Sequence, residues 1–499
     1  MRQRVFAHYF ANSAAAGAFT AALRIPNFLQ NLFGEGALSA SFIPVYAGLL
    51  ARADEEEAGR VAGAVGSLLA ALMAILVLVG VLFTPSLVDV IAPGFTGGTR
   101  VLTIRLVRIL FPGVGLLVLS AWCLGILNSH RRFFLSYAAP VVWNAAMIAV
   151  LLVYGGRSTQ DDLAVALAWG AVAGSALQLV VQLPAVLSLA RRLRPALDVA
   201  SANVRTVLRN FLPAFVSRGV VQISAFVDSI LASLISPSAV AALGYAQPIY
   251  TLPVSLFGMS VSAAELPAMA SAVGSETEVA AQLRQRLDDG LRRIAFLVVP
   301  SAVALLALGD VIAAALYQTG RFGRGDAEWV WGILAGSAVG LLASTLGRLY
   351  SSAYYALRDT RTPLGYALVR VALTTVLGYL LAVTVPPLVG VDPKWGVAGL
   401  TASAGVAGWV EFALLRRTMN ARIGSTGLAA RYAGSLWLAA AAAAAAAWGI
   451  KLALGVGHPL LAAGLILGTY ALIYAAVTSA LGVREAQALV ERLVRRGRR

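Results

Sequence analysis

The chain has 499 residues, 59% hydrophobic and only 12% charged, with a formal net charge of +16. An ordinary soluble domain carries about 25% charged residues, so the composition excludes a water-soluble globular protein of this size. The surplus is arginine concentrated in short loops. That fits the cytoplasmic loops of a membrane protein better than a nucleic-acid surface, and no nucleic-acid partner is expected.

In chain order, the first expected helix is Arg2–Phe10. It is too short to cross a bilayer, which takes about 20 apolar residues. It follows Met1-Arg2-Gln3-Arg4 without the charged and apolar regions of a signal peptide, so an upstream half-helix is expected before Met1. Further spans are expected near 14–50 (interrupted), 61–83, 101–127, 133–154, 162–190, 208–235 and 240–272. Others follow near 293–317, 328–356, 364–385, 395–416, 431–452 and 460–481, which makes fourteen with the first. Period-two alternation is absent, which argues against a membrane β-barrel. The expected fold class is an all-α polytopic membrane protein.

Charge tests this division. Alternate loops near 52–60, 131–132, 191–209, 284–293, 358–361 and 416–431, with the tail 484–499, hold 25 arginines. The opposite loops hold six cations: Arg100, Arg157, Arg321, Arg324, Lys394 and Lys451. The arginine-rich side, and with it the C-terminus, is expected in the cytoplasm.

Soluble-enzyme chemistry finds little support. Cys123 stands alone, so no intramolecular disulfide forms. His8, His130 and His458 are too scattered for a metal site. Lys394 and Lys451 are the only lysines, and neither completes a P-loop. No HExxH, GxSxG or SxxK is present.

A long internal repeat is visible. Leu32-Phe33-Gly34 precedes Ser39-Ala40-x-x-Ile43-Pro44, and Leu256-Phe257-Gly258 precedes Ser262-Ala263-x-x-Leu266-Pro267. Each follows a mid-span proline, Pro26 or Pro253. The spacings differ by one residue, which leaves chance similarity open. A true repeat makes two homologous helical lobes joined by the polar stretch 190–210, with a substrate site between them.

Ionisable groups at bilayer depth cost at least about 2.5–3.5 kcal/mol each on the insertion scale. Candidates are Arg2, Arg24, Glu35, Arg105, Arg108, Arg218, Asp228, Glu265, Arg348, Arg370 and Glu411. Arg105, Arg108, Arg348 and Glu411 could equally snorkel from span ends. Arg24 and Glu35 flank Ile25-Pro26-Asn27 and Gly34-x-Gly36, where the helix is expected to break. Irregular backbone at that depth is tolerated where it is buried or lines a cavity, although a plain structural kink competes with that reading. An arginine-rich, acid-poor cavity suits an anion, and guanidinium matches phosphate in bidentate geometry. Asp228 either binds a cation or proton, or pairs with Arg218 or Arg370.

The stretch Arg2-x-x-Val5-Phe6-Ala7-x-x-Phe10, Ala21-x-x-Arg24-Ile25-Pro26-Asn27-Phe28-Leu29 and Leu32-Phe33-Gly34-Glu35-Gly36-Ala37-Leu38-Ser39-x-x-Phe42-x-Pro44-Val45 resembles the MurJ/MviN lipid II flippases. Residues 239–253 with Ser255-x-Phe257-Gly258, Ala264-x-Leu266-Pro267 and Tyr354-x-Ala356-Leu357-x-Asp359-Thr360-x-Thr362-Pro363 also match. The resemblance runs over essentially the whole chain and implies the fold of the multidrug/oligosaccharidyl-lipid/polysaccharide exporters. On it, residues 1–190 form the first lobe of helices 1–6 and 191–209 a cytoplasmic basic linker. Residues 210–417 form the second lobe of helices 7–12, residues 431–481 two helices making a lipid-tail groove, and residues 482–499 a basic cytoplasmic tail.

The implied activity is flipping of lipid II, the undecaprenyl-pyrophosphate-linked peptidoglycan precursor, across the bacterial plasma membrane by alternating access. The implied protein is a monomeric transporter without a cofactor, driven by membrane potential or by Na+ or H+. Arg2, Arg24, Asn27 and Glu35 are the implied substrate residues, and Asp228 matches an acidic position some members use for sodium. Pro26, Gly34, Gly36 and Pro253 are the expected helix breaks and gating points. There are departures. Gln30 and Pro248 stand where arginine is common, Gly17 where aspartate is, and Thr374 and Gly378 where sodium-binding members have polar or acidic ligands. Export of another polyprenyl-linked oligosaccharide remains an alternative. A glycan-transferring membrane enzyme would need a sizeable outer loop, but the longest expected one is near 84–100. No filter-like repeat or charge ring points to a channel.

Overall fold

The structure, a computed structural model, describes residues 1–271, 274–453 and 458–488, and within them all side chains except those of residues 35, 214 and 216–225. Among the described residues its regular structure is helical, joined by turns and irregular stretches such as residues 193–200, with one isolated bridge between Thr319 and Phe322. Among the described residues, twelve helices, counted across their internal breaks, are long and apolar enough to cross a membrane. The fourteen expected spans exceed these twelve by two. One is α1 (Arg2–Phe10), with nine residues. The other is α9 (Ala202–Ile235), which passes through the undescribed side chains.

The chain divides into two compact units, Met1–Ala241 and Ala242–Arg499. In the first unit α1 is followed by α2 (Ala14–Asn31), a π-helical turn at Leu32–Gly36, and α3 (Ala37–Ala51). Then come α4 (Glu55–Leu82), α5 (Thr84–Ile91), α6 (Gly97–Ser129), α7 (Phe133–Tyr154), α8 (Gln160–Leu189) and α9. Side-chain caps start several of these helices. The Ser13 hydroxyl accepts from the Ala16 amide, the Asp54 carboxylate from that of Glu57, and the Thr159 hydroxyl from that of Asp162. Each satisfies one of the orphan donors of a first helical turn. The core is carried by α3, α4 and α6 around Phe42, Tyr46, Met73 and Ile126. Here α9 packs on α3, α4 and α5, so it belongs by contact to the first unit. The expected linker at 191–209 is non-helical only as far as residue 201, and its remainder forms the first turns of α9.

The second unit holds α10 (Pro237–Pro253) from Ala242 onward, a π-helical turn at Val254–Met259, and α11 (Ser260–Ala270). It continues with α12 (Glu276–Tyr317), α13 (Arg324–Ala356), α14 (Arg361–Tyr379), a third π-helical turn at Leu380–Thr384 and α15 (Val385–Leu388). It closes with α16 (Gly396–Ile423), α17 (Ala430–Ala453) and α18 (Pro459–Ala480). In α13, Gly332, Gly336 and Gly340 recur every fourth residue. A Cβ on Gly340 would stand 2.3 Å from the Gly405 Cα of α16, and one on Gly336 2.3 Å from the Ala398 carbonyl oxygen. Hydrophobic burial does not drive helix association inside lipid, so close backbone approach through small residues carries it.

The two C-terminal helices dock on α12 through its own irregularities. Pro300 has no N–H, so the Phe296 carbonyl loses its helical partner. The Tyr474 hydroxyl of α18 donates to that carbonyl at 2.7 Å, and Tyr470 donates to the Pro300 carbonyl at 2.7 Å. Leu308 leaves helical geometry at φ −127° and ψ 16°. Just before it, the Leu306 and Ala307 carbonyls accept from the indoles of Trp331 and Trp448, each at 2.8 Å. Just after it, Asp310 accepts from Lys451 Nζ at 2.6 Å. Aromatic donors thus replace the backbone bonds that lipid cannot supply.

Candidate functional site

The sequence repeat becomes a geometric one. Leu32-Phe33-Gly34 and Leu256-Phe257-Gly258 both fall inside π-helical turns. Such turns absorb a one-residue insertion in a helix and recur at functional sites, which accommodates the offset between the two copies. Gly34 leaves helical geometry at φ −83° and ψ −111°. A Cβ on Gly34 would sit 3.1 Å from the Ala121 methyl of α6, and one on Gly258 2.4 Å from the Thr345 Cγ2 of α13. In each unit, therefore, the broken helix presses its glycine onto the second long helix that follows it in the chain.

Of the breaks expected in this span, the one around Pro26 does not form and the one at Gly34 does. Pro26 sits inside α2, buried and helical, and the interruption comes at Leu32–Gly36. A proline deletes one backbone bond but its φ suits a helix. Gly34 alone carries the departure; Gly36, buried, keeps helical angles at φ −78° and ψ −59°, so the expected break at Gly36 does not form. Pro253, by contrast, directly precedes the second break.

Arg2 in α1 is half-buried against α7. Its guanidinium lies 5.0 Å from the Trp143 ring centroid, and Nη1 donates to the Met147 sulfur at 3.8 Å. Among the described residues it meets no carboxylate. Arg24, half-buried in α2, lies in the electrostatic field of Asp228 on α9. Phe28 and Phe226 join the same two helices edge to face, with centroids 5.1 Å apart. The structure thus brings together Arg24 and Asp228, which are 204 positions apart in the chain. Asn27 is exposed one turn beyond Arg24. The Glu35 backbone lies in the π-helical turn, and its side chain lies outside the described residues, as does that of Arg218.

Arg370, the other partner weighed for Asp228, pairs instead with Glu411 of α16 at 3.2 Å. Glu265 of α11, buried, receives Arg293 at 3.1 Å and Arg286 at 3.7 Å from α12. The Asp310–Lys451 pair escaped sequence reading, because each residue sits at a span end where a solvated charge is the simpler expectation. Among the described residues, Glu265, Glu411 and Asp310 are thus each matched by a cation, and arginine remains in excess over the chain. In the loop before α14, Asp359 accepts from the Thr362 amide at 3.0 Å, the Thr362 hydroxyl at 2.8 Å and Arg422 at 2.8 Å. Those bonds, the Thr362 amide foremost, push its carboxyl down to about 2. The Asp359-Thr360-x-Thr362-Pro363 motif is thus a rigid helix cap.

Comparison with known proteins fits this arrangement. The family model described as "Lipid II flippase MurJ" matches residues 6–474. The chain is 32% identical over 428 residues to the probable lipid II flippase MurJ of Rhizobium meliloti, covering 84% of this chain and 77% of that protein. It is 30% identical over 421 residues to the lipid II flippase MurJ of Burkholderia cenocepacia, covering 83% and 79%. Among solved structures, a lipid II flippase MurJ in an inward closed conformation superposes with a TM-score of 0.77 at 22% identity, covering 96% of this chain and 95% of that one. An inward-facing multidrug transporter of the MATE family shares the fold at a TM-score of 0.67 and 17% identity. With its paired helix breaks, its membrane-depth arginines and a family match along nearly its whole length, this chain belongs to the lipid II flippase MurJ family.

Proposed function

We propose that the protein carries lipid II across the bacterial plasma membrane by alternating access, as a monomeric transporter without enzymatic chemistry, with the C-terminus in the cytoplasm. The family match over residues 6–474 carries this reading. The arginine excess supports it, because a pyrophosphate must leave water to cross and guanidinium groups replace its hydration. In this reading Arg2, Arg24, Asn27 and Glu35 receive the headgroup. The breaks at Gly34 and after Pro253 are the hinges about which half-helices tilt, with Pro26 weakening the helix ahead of the first. The two lobes are residues 1–190 and 210–417, joined by the basic linker 191–209. Residues 431–481 shelter the polyprenyl tail, and residues 482–499 form a basic cytoplasmic tail. All fourteen helices, α1 and α9 included, cross or enter the bilayer.

Genetic replacement tests this. Bacteria depleted of their own flippase are expected to grow when this chain is expressed, with labelled lipid II reaching the outer face. Arg24→Ala is expected to express normally yet fail to rescue. No rescue and no outward lipid II by the unmodified chain would overturn the function. Full rescue by Arg24→Ala would remove that residue from the site.

A further inference from the structure

Three arginines lie along the first third of α6, and they are treated differently. Arg100 is bidentate to Asp89 of α5, at 2.7 and 2.9 Å. Arg105 and Arg108 are exposed, and among the described residues neither has an ion-pair, hydrogen-bond or ring partner. With Val101, Ile104 and Ile109 they form one stripe of α6, at the three- and four-residue spacing that places side chains on a common helix face. The stripe and Trp169 of α8 line a cavity of about 410 Å³. Trp169 is 59% exposed and Val101 65% exposed, so the cavity opens outward from the first unit's own surface.

Depth gives the groove its meaning. Arg105 is eight residues into α6 and Arg108 eleven, or about 12 and 16 Å from its start at 1.5 Å per residue. The 33-residue helix spans about 50 Å, against a hydrocarbon core of about 30 Å, so roughly 10 Å projects at each end. Arg105 then sits at the hydrocarbon boundary and Arg108 one turn inside it. Trp169, nine residues into α8, lies about 13 Å from that helix's start, at the level where tryptophan anchors collect. Guanidinium groups at this level reach the interface by snorkelling, and an anion there completes their hydrogen bonding. The anion present at this level in every leaflet is a lipid phosphate.

We propose that the α6–α8 groove is a binding site for the headgroup phosphate of an anionic phospholipid. Arg105 and Arg108 hold the phosphate, and Ile104, Ile109 and the Trp169 ring flank the glycerol and the upper acyl chain. The leaflet is the one that meets the N-terminal ends of α6 and α8; on the orientation proposed above this is the outer one, and that assignment alone rests on the functional reading.

Native mass spectrometry of the full-length protein in detergent tests the site with three probes. These are phosphatidylglycerol, diacylglycerol with the same chains, and inorganic phosphate. Phosphatidylglycerol is expected to bind in preference to the other two. Arg105→Gln/Arg108→Gln is expected to weaken it about a hundredfold or more, the scale of two lost charge-assisted hydrogen bonds. Arg105→Lys/Arg108→Lys should restore most of the affinity, and an unchanged melting temperature would show that the Gln variant is folded. Equal phosphatidylglycerol binding by the unmodified and Gln proteins would overturn the proposal. So would inorganic phosphate binding as tightly as the lipid, or diacylglycerol matching phosphatidylglycerol. Because binding is read without transport, these outcomes are independent of the rescue experiment.

Discussion

We propose that cation coupling turns on Asp228. It follows Val227 in the final third of α9, and the guanidinium of Arg24 feels its charge. A carboxylate beside an arginine can release that arginine when a cation takes its place, which would couple ion binding to the freedom of the group we propose holds the substrate. Sodium is therefore expected to raise the melting temperature of the purified protein, and Asp228→Ala to abolish the increase. A sodium response unchanged in Asp228→Ala would remove this residue from coupling and leave membrane potential or protons as the driving force. The sequence could single out Asp228 as a lone acid in an apolar run. It could not choose Arg24 over Arg218 or Arg370, because partner choice across 204 positions depends on how helices pack.

At the level of elements, the helices were legible from composition and their contacts were not. Expected spans such as 133–154 and 460–481 coincide closely with Phe133–Tyr154 and Pro459–Ala480, because lipid demands an uninterrupted apolar run of fixed length. Helices such as α12 start well before their apolar segments. The capping box at Ser275, where the side chain and Glu278 cap each other, begins α12 on exposed residues. Of the breaks expected in the first interrupted span, the one at Gly34 forms and the one at Pro26 does not, because the φ of proline fits a helix while glycine has no Cβ to hold it there. The α13–α16 contact offers a direct test of packing. Gly340→Val puts a branched side chain where even a Cβ would stand 2.3 Å from Gly405. Overpacking of this kind costs about 1–3 kcal/mol or more, and a lower melting temperature of the purified protein is the expected result. Gly434→Val, on an open face of α17, is the matched control, expected to leave the melting temperature nearly unchanged.

For the whole molecule, orientation is written in charge. The 25 arginines in one set of loops against six cations in the other predict a cytoplasmic C-terminus. A fluorescent protein fused to the C-terminus should light up, and alkaline phosphatase fused there should be inactive. The reverse pattern is expected after Val391, in the turn before α16. Active phosphatase at the C-terminus would invert the topology. Composition alone determined that the chain lives in a bilayer. Spacing determined roughly where each helix runs and that two segments repeat, since hydrophobic length and local backbone chemistry act over a few neighbouring residues. Tertiary structure decided which glycines break the helices, that Arg370 serves Glu411 and Arg24 meets Asp228, and that aromatic hydroxyls and indoles rescue the carbonyls of α12. Those outcomes depend on which side chain arrives from a distant helix, and in lipid that is set by close packing and hydrogen bonding between surfaces rather than by burial of apolar area.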